Sequence, residues 1–284
     1  DHRDLHSFPT RRSSDLLIAV FGLSFFKWGG TGAPEWNGIN NYIKLFTTDP
    51  YFKESIKVTV YFSLLAVVGS MVYSLIVAML LNRKIPARGF FRAVFYLPYV
   101  LPAAAVYIGW SWLYNTEWGL FNYILSKLGI ERLMFVSSSS QVVPSLALIA
   151  VWLSGNLIVI FLAGLQNVPR VYHEAAEIDG ANAWQRFWHV TFPSMTPIIF
   201  YNMLMALITN MQVVTPALAL TKGGPGKSSY FMSYMLYNYA FKQRGKIGLA
   251  CAIAFVLFLL IGAFTLLLFA TSKSWIFYEG GDDK

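Results

Sequence analysis

Long charge-free apolar runs separated by short polar turns dominate this chain. Residues 58–117 carry charge only at Arg83, Lys84, Arg88, Arg92 and the closing Glu117, while 133–169, 190–221 and 247–272 carry none. A helix crosses the hydrocarbon core of a bilayer with about 20 apolar residues. The pattern therefore predicts full spans at residues 58–81, 93–114, 142–162, 198–220 and 248–270. A closed β-barrel also satisfies its backbone in lipid, but its strands alternate apolar and polar positions over about 10 residues. These runs are continuous, so the expected fold is an all-α membrane protein.

The first apolar run, residues 16–26, is too short to span. It reads either as an interfacial helix or as the second half of a first span whose beginning has been replaced by foreign sequence. Residues 1–15 look like translated adapter sequence and lack the small-residue cleavage site of a signal peptide. The second reading is therefore preferred: six transmembrane helices are expected in the native chain, the first truncated, with residues 16–284 forming one membrane domain. Residues 1–15 carry no functional weight, including His2 and His6, which otherwise invite a metal reading.

A polar island at residues 165–197 interrupts the apolar pattern. Pro169 suits a helix start, where a missing N–H costs nothing. Val171, Ala175 and Ile178 follow at i, i+4 and i+7, one apolar stripe of a helix. Gly180 sits where helices end in a left-handed residue. A second short helix is expected over about 182–190, with Trp184, Phe187 and Trp188 on one face, and Pro193 and Pro197 should break the chain before the next span. The product is a helix–glycine turn–helix lying across the membrane surface. Small Ala175 and Ala176 let a partner backbone approach, and Glu174, Glu177 and Asp179 form a polar rim. An amphipathic helix resting on lipid is the competing reading, although such helices favour Lys and Arg on their polar face.

Composition fits the membrane class: 13% of residues are charged, against about 25% in soluble chains. The formal charge of +8 sits in short loops, where basic residues set topology or meet anionic headgroups. No basic helix or recognition motif points to nucleic acid. If the first span starts inside, the inner loops hold fewer basic residues than the outer ones, yet residues 82–92 pack Arg83, Lys84, Arg88 and Arg92 into one acid-free turn. Charge alone leaves the orientation weakly set. Cys251 is read as a small packing residue, and Gly69, Ser70 and Ser74 as a site of close helix packing.

Candidate chemistry is sparse. Gly226-Lys227-Ser228 looks like the end of a phosphate-binding loop, but Thr221 stands where that motif needs glycine, and Pro225 would spoil the cradle. Polar residues within or beside spans are candidate pathway groups: Trp152, Ser154, Asn156, Asn202, Thr209, Asn210 and Gln212. Each also reads as packing glue between helices. The spans hold no ionisable residue of the kind that ion-coupled transporters use, and no nucleophile–base spacing suggests an enzyme. His173 and His189 lie on the polar island and read as surface residues.

The order Glu174-Ala175-Ala176, Asp179-Gly180-Ala181, Phe187, Pro193 and Pro197 resembles the cytoplasmic signature loop of bacterial ATP-binding-cassette (ABC) importer permeases. Phe95-Tyr96-Leu97-Pro98, Trp118-Gly119-Leu120-Phe121-Asn122 and Gly223-Gly224-Pro225 are similar to its carbohydrate-uptake branch, which includes maltose, multiple-sugar and glycerol-phosphate permeases. One departure is Gly245-Lys246-Ile247-Gly248, where relatives often carry an aromatic after the glycine. The resemblance implies that residues 165–197 form a cytoplasmic coupling loop between spans 4 and 5. Glu174, Ala175, Ala176, Asp179, Gly180, Ala181, Phe187 and Pro193 would there meet an ATPase. It further implies a multi-pass protein of the bacterial cell membrane, with no covalent chemistry and no cofactor on this chain. ATP and Mg belong to a separate ATPase dimer, beside a second permease subunit and an extracytoplasmic solute-binding protein. In the maltose permease the spans flanking the loop contact substrate, and Asn210 and Asn156 align at or near such contacts. Trp152, Thr209 and Gln212 complete the expected pathway for a sugar-like solute. An ABC permease for a non-sugar solute is the alternative, and an ion-coupled secondary transporter a weaker one.

Overall fold

The computed structural model describes residues 8–243 and 245–277, so His2, His6, Arg244 and Lys284 lie outside it. In chain order the elements are α1 (Phe8–Leu23), a two-stranded ribbon of β1 (Phe26–Lys27) and β2 (Glu35–Trp36), α2 (Asn40–Ile43), α3 (Phe52–Asn82), α4 (Arg88–Val100), α5 (Ala103–Leu113) and α6 (Leu120–Lys127). There follow α7 (Val142–Trp152), α8 (Gly155–Asn167), α9 (Arg170–Ile178), α10 (Ala183–Arg186), α11 (Phe192–Met211), α12 (Met232–Tyr237) and α13 (Ile247–Ser272). Among the described residues three helical runs are long and apolar enough to cross a membrane, or five if each of two bent pairs is one span. The run at 16–26 departs from expectation: α1 begins ahead of it and ends at Leu23, and Phe26 already pairs with Trp36 in the ribbon.

The lipid signature is clearest on α3. Tyr61, Leu64, Val68, Val72, Ile76 and Leu80 are exposed, and they recur every three or four residues along one stripe. The opposite stripe of Phe62, Ala66, Ser70, Ser74, Ala78 and Leu81 is buried. Large apolar groups face outward, the inverse of a water-soluble helix, and between Phe62 and Leu81 the inward stripe is small or hydroxylated. The helix also starts earlier than residue 58, because Asp49 Oδ1 accepts from the N–H groups of Tyr51 (2.9 Å) and Phe52 (3.0 Å).

Two expected spans are bent. The one predicted at 93–114 divides into α4 and α5, which meet at 99°. Pro102 offers no N–H and forces the residue before it out of the helical region. Leu101 accordingly sits extended, at φ −69° and ψ 144°. The span predicted at 142–162 divides into α7 and α8 at 49°. There Ser154 Oγ donates to Val151 O (2.6 Å) and lies 2.9 Å from Ser74 Oγ on α3.

The chain forms two compact units, one within residues 1–60 and 211–263, the other within 61–210 and 264–284. In the first, Met232 N–H donates to Thr59 Oγ1 at 2.9 Å and the buried Asn41 amide donates to the carbonyls of Ser24 and Phe26. Cys251 is buried and free. The second unit has a core of Val77, Ala78 and Leu81 from α3, Ile158, Phe161, Leu162 and Leu165 from α8, and Met195 from α11. Glycine makes this core possible. A Cβ on Gly69 would sit 2.7 Å from Val151 Cγ2, and one on Gly164 would sit 2.4 Å from Ile198 Cδ1. The close packing expected at Gly69, Ser70 and Ser74 is thus present. Both legs of the polar island, α8 before it and α11 after it, are rooted in one packed cluster.

Candidate functional site

The polar island folds as two helices joined at Gly180. Pro169 caps α9 with φ −60° and ψ 132°, the extended geometry that precedes a first turn. Its last turn closes with a full Schellman motif. Ala181 N–H donates to Ala176 O (2.9 Å), Gly180 N–H to Glu177 O (3.1 Å), and Gly180 takes φ +78°. Asn182 then caps α10: its Oδ1 accepts from Gln185 N–H (2.9 Å), while Gln185 Oε1 accepts from Asn182 N–H (2.8 Å). This reciprocal capping box satisfies two orphan donors. It is legible as Asn-x-x-Gln and was absent from the sequence-based expectations.

The second helix continues where a break is expected. From Ala183 the chain is helical to Met211, through a wider π-turn at Phe187–Thr191. Pro193 follows directly on that turn. Pro197 lies inside α11, and its missing N–H leaves the Pro193 carbonyl without its usual partner. Thr196 Oγ1 donates to that carbonyl instead, at 2.7 Å, and accepts from Phe277 N–H at 2.9 Å. Neither proline breaks the chain, because a π-turn and a hydroxyl absorb the lost bonds. The span expected at 198–220 correspondingly begins much earlier and ends at Met211.

The surface of α9 is open, with none of its residues buried. Ile178 is 87% and Val171 68% exposed, so the apolar stripe faces outward and is uncovered among the described residues. Glu174, Ala175 and Asp179 are exposed, and Ala176 and Ala181 half-buried. Glu177 is exposed, as expected of the rim, and it also pairs with Arg186 of α10 across the turn. Glu177 and Asp179 sit at a helix C-terminus, where the backbone dipole disfavours anions, and Arg186 offsets that for Glu177. A hollow of about 260 Å³ is lined by Ala176, Asp179, Gly180, Gln185, Arg186 and His189. Phe187 is half-buried in an aromatic cluster, 5.1 Å from Trp188 and 6.3 Å from Trp184 between ring centres.

The expected pathway residues occupy two places. Trp152 and Asn156 flank the α7–α8 bend, with Trp152 edge-on to Trp110 at 5.6 Å. Thr209 and Asn210 lie at the end of α11, and Gln212 follows it exposed. Thr209 Oγ1 donates to Met205 O and Asn210 Nδ2 to Ala206 O, both at 2.8 Å, so each is bonded to its own helix. Among the described residues no hydrogen bond links the first pair to Thr209 or Asn210. Asn202 is fully buried, and both polar atoms of its amide lack a hydrogen-bond partner among the described residues. At Gly226-Lys227-Ser228 the lysine Nζ lies over the rings of Tyr230 (4.5 Å) and Tyr51 (5.2 Å), a cation–π arrangement in place of a phosphate cradle.

Comparison with known proteins places these features in context. The family described as binding-protein-dependent transport system inner membrane component matches residues 70–274. The chain is 36% identical over 265 residues to the probable ABC transporter permease protein YesP of Bacillus subtilis, covering 92% of this chain and 85% of that one. It is 37% identical over 254 residues to the multiple sugar-binding transport system permease protein MsmF of Streptococcus mutans, covering 89% and 87%. Its fold is similar to a crystal structure of a bacterial ABC transporter involved in the import of the acidic polysaccharide alginate. That likeness has a TM-score of 0.78 at 20% identity and covers 94% of this chain and 93% of the other.

Proposed function

This chain belongs to the family of binding-protein-dependent transport system inner membrane components, and from that premise we propose that it is the permease subunit of an ATP-driven importer for a sugar or sugar-like solute. The solute reaches it on an extracytoplasmic binding protein and crosses by alternating access between this chain and a second permease subunit. ATP and Mg act on a separate ATPase dimer.

One observation carries the reading: an exposed two-helix lever, stiffened at its turn, whose legs α8 and α11 share one packed core. A push on α9 has a rigid route into both helices. The apolar stripe of Val171 and Ile178 beside the carboxylates of Glu174 and Asp179 gives a partner an apolar centre and a polar rim. The ATPase would seat there, which places the lever in the cytoplasm. The Streptococcus relative is named for a multiple sugar-binding transport system, and amide and aromatic groups at Trp152, Asn156 and Asn210 suit a polyhydroxy solute.

Reconstitution tests this. Vesicles holding this chain, its partner permease and the ATPase should accumulate radiolabelled sugar only with ATP, ATPase subunit and binding protein all present. Accumulation without the ATPase subunit would overturn the reading. Glu174→Ala should abolish uptake while membrane insertion stays normal.

A further inference from the structure

We propose that the mouth formed by α3, α4 and α8 is a binding site for an anionic phospholipid, with the phosphate held by Arg88 and Arg92 and an acyl chain lying on the apolar wall beside them. The site is a cavity of about 170 Å³ whose walls include Leu81, Tyr96, Ile158, Val159 and Leu162. Arg92 and Gln166 line the same cavity. With its amide turned carbonyl-first, Gln166 accepts from Arg92 Nη2 at 2.9 Å and from Arg88 Nη2 at 3.0 Å. Two guanidinium groups therefore converge on one neutral oxygen.

That convergence is incomplete by itself. Among the described residues neither arginine has a carboxylate within ion-pair distance, since the ion pairs are Lys27–Glu35, Lys57–Glu54 and Arg186–Glu177. Arg88 Nε is buried without a hydrogen-bond partner. Two like charges brought together beside an apolar wall repel, and a phosphate oxygen accepting from both forks removes that repulsion. Arg83 and Lys84 add charge at the same turn, and residues 82–92 contain no acid.

A lipid suits the site better than an acidic protein segment. Phosphate charge sits directly above an apolar chain, matching Arg92 on the wall of an apolar cavity with Arg88 converging on the same Gln166. Basic pockets between transmembrane helices recognise anionic headgroups in this way. Phe90 and Phe91, 65% and 41% exposed, lie between Arg88 and Arg92 in the chain, and aromatic side chains favour a headgroup layer. Gln166 lies one residue from the end of α8 and just before α9, so the site shares a membrane face with the lever. The inference rests on the reading above only for calling that face cytoplasmic.

The test uses the assembled transporter, purified and stripped of lipid, with retained phospholipid counted by native mass spectrometry. Phosphatidylglycerol should be retained roughly 10- to 30-fold over phosphatidylcholine, the preference expected from two arginines near a headgroup. The Arg88→Gln/Arg92→Gln double variant should lose that preference. Val159→Trp, which fills the cavity from its exposed side, should weaken retention of both lipids. Equal retention of the two lipids by the unaltered protein overturns the proposal. So does full protection against thermal unfolding by inorganic phosphate alone, or crosslinking of the two arginine positions to an acidic segment of another subunit. ATP-driven uptake is measured separately, so its failure with lipid preference intact would count against the transport reading alone.

Discussion

Arg186 forms an ion pair with Glu177 across the Gly180 turn, locking the end of one lever helix to the start of the next. The Glu177 side chain is 61% exposed, so the pair contributes at most about 1 kcal/mol to stability. Under the proposed function the pair would matter for stiffness, because a lever that flexes at its turn would dissipate the push. Glu177→Gln and Arg186→Gln should leave thermal stability nearly unchanged and reduce coupled uptake several-fold. The exchanged pair Glu177→Arg/Arg186→Glu should recover much of it. Uptake and ATPase rates in the same vesicles check this, and equal uptake in all variants would assign the pair no mechanical part.

Gly180 is required by its backbone. A Cβ there would meet nothing within 4 Å, so space is free, but φ +78° is a left-handed conformation. Side-chain-bearing residues adopt it at a cost of about 1–2 kcal/mol. Gly180→Val should therefore lose transport and expose the turn to protease, Gly180→Ala should fall between, and Gly180→Asn should come nearest to the original. Limited proteolysis alongside uptake measures the order. An equal loss with Asn and Val would place the cause outside the backbone.

The glycine turn was legible in sequence because a left-handed helix end leaves a one-residue mark. The spans were legible because lipid demands about 20 apolar residues whatever the tertiary packing. Pro193 and Pro197 misled for a physical reason: proline removes one N–H, and the outcome depends on what repairs the loss. Thr196 and the π-turn repair it, and neither is visible in hydropathy. Pro102 has the same chemistry, and the two helices on either side of it meet at 99°. The Glu177–Arg186 pair escaped notice because its partners lie on different helices, so their distance depends on the turn between them.

Asn210 separates pathway from packing. Its Nδ2 bonds the carbonyl of Ala206 at 2.8 Å, which leaves Oδ1 as the atom able to meet a solute hydroxyl. Asn210→Asp keeps that acceptor, while Asn210→Ala removes it. If the residue contacts solute, Ala should weaken uptake of the preferred sugar about 10-fold, the effect of leaving one polar partner unpaired, and shift preference among sugars. Competition assays with a sugar panel read this out. A uniform loss of expression without changed preference would assign Asn210 to packing.

Asn202 poses the sharpest energetic question. It is fully buried in α11, and neither polar amide atom has a partner among the described residues, a condition that costs about 1–3 kcal/mol for each group. In a membrane helix such a residue persists for function more often than for stability. Were the amide satisfied in a second conformation of an alternating-access cycle, its cost here would bias the protein toward moving. Asn202→Leu, of similar volume, should raise the midpoint of thermal unfolding and slow ATP-driven uptake together. A variant less stable than the original would show that the amide is satisfied in the resting state, and one equally fast in transport would remove it from the cycle.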